Sequence, residues 1–150
     1  MKQEKYALVR KNAEALLSSE KDLIANLANI SALLKEHFDF WWVGFYLVKG
    51  DQLVLGPFQG PIACTRIGFG KGVCGKAWEQ KQSIIVPDVH AFEGHIACNS
   101  ESNSELVIPI FYRGEVKAVL DIDSREFNHF DETDQEEMEQ LCVQLSNFFA

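Results

Sequence analysis

Two hairpin signatures constrain the fold of this chain more than any other feature. Trp42-Val43-Gly44-Phe45-Tyr46-Leu47-Val48 reads as a strand, Lys49-Gly50-Asp51 as a turn, and residues 52–55 as the returning strand. Residues 105–111, an Arg113-Gly114 turn and residues 116–123 repeat the pattern. Strands joined by tight turns pair antiparallel, because parallel pairing needs a long crossover. Helical spacing brackets the hairpins. Tyr6, Val9, Ala13, Leu16 and Leu17 share one face, as do Leu23, Leu27, Ile30, Leu34 and Phe38, with Ser19 the expected cap of the second helix. A last helix is expected over 132–149, capped by Asp131, with Met138, Leu141, Cys142, Leu145 and Phe148 inward. The predicted class is α+β: a single domain over 1–150, its central sheet largely antiparallel, terminal helices on one face and functional loops on the other.

Between the hairpins the pattern is weaker. Residues 56–72 are turn-rich, a short helix is expected over 73–80, and a strand over 83–86 stops at Pro87. Residues 88–104 have no usable periodicity, and a loop of that length within a compact domain is usually functional or disordered. Gly70-Lys71-Gly72-Val73-Cys74-Gly75 matches the dinucleotide pattern G-x-G-x-x-G. A turn-rich segment precedes it and no βαβ unit surrounds it, so the glycines read as a tight turn into a helix. That reading puts Cys74 in the first helical turn, where the helix dipole favours a thiolate.

Composition excludes some function classes. A chain of 150 residues with 47% apolar content suits one core, and a net charge of −8 without a basic cluster argues against nucleic acid or an anionic membrane. The longest apolar run, residues 40–48, is too short to cross a bilayer. No apolar segment follows Met1-Lys2-Gln3-Glu4-Lys5, so a cytoplasmic location with reduced thiols is expected.

Cysteines and acids carry the chemistry. Cys64, Cys74 and Cys98 lie among glycine, basic, histidine or small polar neighbours, as an accessible thiol requires, whereas Cys142 falls on the apolar stripe of the last helix. His90, His95 and these cysteines lack the close C-x-x-C spacing of structural zinc sites, so no metal is expected. His95 either bonds within its loop or tunes Cys98. In Leu120-Asp121-Ile122-Asp123, strand alternation puts both aspartates on one face with Val119. They are either a solvated strand end or a carboxylate pair in a cleft, with Glu105 on the neighbouring strand able to join. In a cleft, repulsion and desolvation raise a carboxyl pKa, giving a proton donor beside an anion that can hold an ammonium group. Trp41, Trp42, Phe45 and Tyr46 are core residues by default; Trp42 and Tyr46 share a face across Gly44, which leaves room for a ligand.

Trp42-Val43-Gly44-Phe45-Tyr46, Gly56-Pro57-Phe58-Gln59-Gly60, Ile62-Ala63-Cys64-Thr65-Arg66-Ile67, Gly72-Val73-Cys74-Gly75, His95-Ile96-Ala97-Cys98 with Ser104-Glu105, and Leu120-Asp121-Ile122-Asp123-Ser124 together resemble the free methionine-(R)-sulfoxide reductases, which are stand-alone GAF-domain enzymes. The resemblance spans residues 42–130. It implies a GAF domain over 1–150 that reduces free methionine-(R)-sulfoxide, with Cys98 as nucleophile, Cys64 as resolving thiol and Cys74 as accessory thiol. It further implies Glu105, Asp121 and Asp123 as acids that hold and protonate the substrate, and Trp42 and Tyr46 as its aromatic wall. No cofactor is implied; thioredoxin is the implied reductant. The family often has Asp after the nucleophile where this chain has Asn99, which lacks that charge. Amphipathic terminal helices could pair in a homodimer or pack on their own sheet. Two other readings share these residues: a GAF-type sensor that binds a small molecule without turnover, and a thiol redox sensor.

Overall fold

The two hairpins share one sheet. In the computed structural model, which describes residues 1–96, 98 and 101–150, six strands run in the order β3-β2-β1-β6-β5-β4 and every pairing is antiparallel. They are β1 (Trp42–Lys49), β2 (Gln52–Gln59), β3 (Arg66–Gly68), β4 (Ile84–Val86), β5 (Ser104–Tyr112) and β6 (Glu115–Ser124). The first strand of one hairpin pairs with the second strand of the other, so β1 and β6 form the centre. The helices are α1 (Lys2–Ser19), α2 (Leu23–His37), α3 (Gly72–Gln80) and α4 (Glu132–Ser146), and residues 89–91 form one 3-10 turn. The α+β class and the antiparallel sheet agree with the sequence expectation.

Alternation sorts the sheet residues between two cores. Val43, Phe45, Leu106, Ile108, Ile110, Leu120 and Ile122 pack against α1, α2 and α4. Trp42, Tyr46, Val107 and Val119 face the other way and pack with Val73, Cys74 and Ala77 of α3. The terminal helices thus cover one face, and α3 with the connecting loops covers the other. On the helical side Tyr6 donates to the buried carboxylate of Asp134 at 2.6 Å, and Lys2 reaches the same group at 2.8 Å, joining α1 to α4.

Several boundaries differ from the sequence expectation. Asp22, not Ser19, caps α2, accepting from the Ala25 N–H at 3.0 Å; Ser19 is still inside α1. Asp131 caps α4 as expected, in a reciprocal box with Asp134, but that helix ends at Ser146. β2 continues to Gln59, and β3 is a short strand within the segment read as turns. The glycine motif after β3 makes the tight turn expected: Gly70 and Gly72 have positive φ, and Gly70 N–H donates to Gly75 O at 3.0 Å.

Candidate active site

Strand register assembles the acids. Asp123 of β6 lies opposite Trp42 of β1 on one side and Glu105 of β5 on the other; Asp121 lies opposite Gly44 and Val107. Side chains directly opposed across an antiparallel pair have Cβ atoms about 5 Å apart. Trp42, Asp123 and Glu105 therefore form a row across three strands, with Asp121 two residues along. Glu105 and Asp121 are buried and Asp123 is partly so. Burial, reinforced by the charge of Asp123, pushes the Glu105 carboxyl up to about 8. Burial also raises Asp121 and Asp123 well above the usual carboxylate range, with Glu105 adding to the first and Asp121 to the second. The trio holds protons at pH values where a surface carboxylate has none.

The pocket floor is α3. Cys74 sits in its first turn, and the Cys74 thiol, a Glu105 oxygen and an Asp121 oxygen all lie within 4.8 Å of one another. Here the dipole expectation is corrected. Burial, then the charges of Asp121 and Glu105, push the Cys74 thiol well up and outweigh the helix terminus. His95 Nε2 is 3.6 Å from Glu105 Oε1, and burial lowers its pKa against the opposing pull of Asp121. Ser102 donates to Asp123 Oδ1 at 3.4 Å. Asp121 Oδ1 is buried with no hydrogen-bond partner among the described residues.

Two aromatic residues hold the loop above. The Trp42 indole N–H donates to Pro61 O at 3.0 Å, and the Tyr46 hydroxyl, its pKa raised by burial, donates to Cys64 O at 2.9 Å. These bonds fix the segment that carries Cys64 where it meets Cys98 in a disulfide, with Cα atoms 5.4 Å apart across 34 residues of sequence. Trp42 stacks on Phe58 at 5.2 Å between centroids. That stack occupies the space expected for a ligand at Gly44: a Cβ there would lie 2.2 Å from Phe58 Cβ and 2.9 Å from the Trp42 ring. Gly44 makes room for the aromatic wall, not for a ligand.

Of the eight site residues singled out in the sequence, Cys74, Cys98, Trp42, Tyr46, Glu105, Asp121 and Asp123 line one cavity of about 50 Å³, and Cys64 joins through its bond to Cys98. Trp41, Ser102 and His95 line it as well. Phe45 lies in the opposite core, and so does Cys142, whose thiol is raised by burial. His90 is exposed and bonds Asn103 at 2.9 Å, away from the cysteines. Sequence reading missed Ser102, which lies in the segment without periodicity, and the part played by Phe58, for which the run from Gly56 to Gly60 was the available signal. Asn99 lies outside the described residues.

The arrangement brings a closed thiol pair, proton-holding carboxyls and an aromatic wall to one small cavity. The GAF domain family profile matches residues 19–150. GAF domain-containing protein A of Dictyostelium discoideum is 54% identical over 97% of this chain and 93% of its own. Free methionine-R-sulfoxide reductase of Escherichia coli is 48% identical over 99% of this chain and 91% of its own. Among solved structures, free methionine-R-sulfoxide reductase from Neisseria meningitidis, in complex with its substrate, superposes with a TM-score of 0.93 at 50% identity, covering 97% of this chain and 90% of that one. The chain belongs to the GAF domain family and, within it, to the free methionine-R-sulfoxide reductases, a family of oxidoreductases.

Proposed function

We propose that this protein reduces free methionine-(R)-sulfoxide to methionine in the cytoplasm, with Cys98 as the attacking thiol. The observation that carries this reading is the Cys64–Cys98 bond, closed within the walls that also present Glu105, Asp121 and Asp123. A sulfoxide sulfur becomes electrophilic when its oxygen is protonated, and a carboxyl held up to about 8 can supply that proton at neutral pH. The Cys98 thiolate attacks sulfur, the sulfur–oxygen bond breaks, and methionine leaves as the oxygen passes to Cys98 as a sulfenic acid. The Cys64 thiol displaces that oxygen as water and closes the disulfide. A thioredoxin dithiol then returns both cysteines to thiols by exchange and is itself oxidised. Cys64 is only half-buried, which suits attack by an external thiolate. Cys74 is the reserve thiol, kept protonated while the other pair cycles.

The free ammonium group of the substrate gives the acidic trio its second task. Whichever carboxylates are ionised hold the cation against the Trp42 and Tyr46 wall, and a peptide-bound methionine has no such charge to offer. The test is methionine release from the two free sulfoxide epimers. The R epimer alone should be consumed. Cys98→Ser should abolish release, whereas the double variant Cys64→Ser, Cys74→Ser, which lacks both the resolving and the reserve thiol, should give about one methionine per chain and then stall. Undiminished turnover in Cys98→Ser would refute the assignment.

A further inference from the structure

The pocket floor carries a thiol that the Cys64–Cys98 cycle leaves unused, together with a buried carboxylate oxygen that has no hydrogen-bond partner among the described residues. We propose that Cys74, Asp121 and Glu105 form a binding site for a zinc-class divalent cation, with the His95 imidazole beside it against Glu105. Zinc takes thiolate, imidazole and carboxylate ligands in a tetrahedron with bonds of about 2.0–2.3 Å, which spaces ligand atoms roughly 3.3–3.8 Å apart. The Cys74 sulfur and one oxygen each from Glu105 and Asp121 already lie within 4.8 Å of one another, and His95 Nε2 lies 3.6 Å from Glu105 Oε1. A contraction of that cluster by about an ångström would give the spacing, and three protein ligands with a water in the fourth position is an arrangement that zinc takes.

Asp121 Oδ1 points to a ligand independently of that spacing. The Asp121 side chain bonds Glu105 and Cys74, but Oδ1 is buried with no hydrogen-bond partner among the described residues, which is costly unless something fills the position. A cation also relieves the repulsion between Glu105 and Asp121. Binding displaces the Cys74 thiol proton, and the protons that Glu105 and Asp121 hold, to solvent and forms metal–sulfur and metal–oxygen bonds, with no change of oxidation state. Because the same carboxylates face the substrate cavity, the cation and a substrate ammonium exclude each other. That competition rests on the proposed function; occupancy by metal does not.

Cobalt(II), a spectroscopic stand-in for zinc, tests the site without turnover. In protein carrying the Cys64–Cys98 disulfide, verified by mass spectrometry, only Cys74 and Cys142 are free thiols, and Cys142 lies in the opposite core. Adding cobalt should produce a thiolate-to-metal charge-transfer band that saturates at an equimolar ratio and is abolished by excess zinc. The band should persist in Cys142→Ser and vanish in Cys74→Ala. Glu105→Gln, which keeps the thiol, should weaken cobalt binding by at least tenfold, since even residues behind a ligand carry about 10–100-fold in affinity. No band in the disulfide form, a band that survives Cys74→Ala, or unchanged affinity in Glu105→Gln would each overturn the proposal.

Discussion

Glu105 is the residue whose protonation has the clearest consequence. Its carboxyl rises from an ordinary 4.5 to about 8 on folding, because it is buried and faces Asp123. Between those values the folded protein holds a proton that the unfolded chain has released. The stability this group contributes is complete below the lower value and is lost as pH rises through the upper one. Glu105→Gln removes the titration. Between about pH 5 and pH 9, wild type should lose on the order of 2–5 kcal/mol more than the variant in urea unfolding. Parallel curves would contradict the raised value. Asp121 and Asp123 share the sign, so the variant should keep some slope of its own. Cys74 shows where reading at this scale stops. Its neighbours Gly72, Val73 and Gly75 are visible in sequence, but the acids that govern its thiol come from strands about thirty and fifty residues away.

At the scale of elements, long periodic segments were legible and short ones were not. The hairpins and the helices at both ends follow from apolar spacing and turn residues. β3 was hidden because three residues cannot display alternation, and it exists only through pairing with β2. Ser19 and Asp22 are both good caps by type; α1 runs through the first, which leaves the second to begin α2. At Gly44 the β1 backbone lies directly against Phe58 of β2, beside a register shift between Gly44 and Tyr46. A Cβ there would meet Phe58 Cβ at 2.2 Å and its Cα at 2.8 Å. That is side chain against the root of another strand, with no rotation to relieve it. Gly44→Ala should cost about 1–3 kcal/mol, as overpacking does, read as a lower melting temperature. An unchanged melting temperature would mean that the strands separate there without penalty.

For the whole molecule, the disulfide joins two loops that the sheet brings together. It spans 34 residues, from the loop after β2 to the segment before β5. Closing such a loop restricts the unfolded chain, so the oxidised protein should be more stable than the reduced one by about 2–4 kcal/mol in urea unfolding. Cys142→Ser should leave that difference unchanged, and Cys64→Ser should abolish it. Equal stability of the two redox forms would show that reduction leaves the unfolded ensemble no freer. The sequence by itself determined the α+β class, the antiparallel pairing, the face shared by Asp121 and Asp123, and the buried place of Cys142. These depend on the spacing of neighbouring residues along a strand or helix. Only the tertiary structure decided that Glu105 stands opposite Asp123, that Phe58 fills the space at Gly44, and that Cys74 lies against the acids, which divides the four cysteines into a bonded pair and two buried thiols. Each of these depends on register between distant strands and on the low dielectric that packing creates, and neither property belongs to any local stretch of chain.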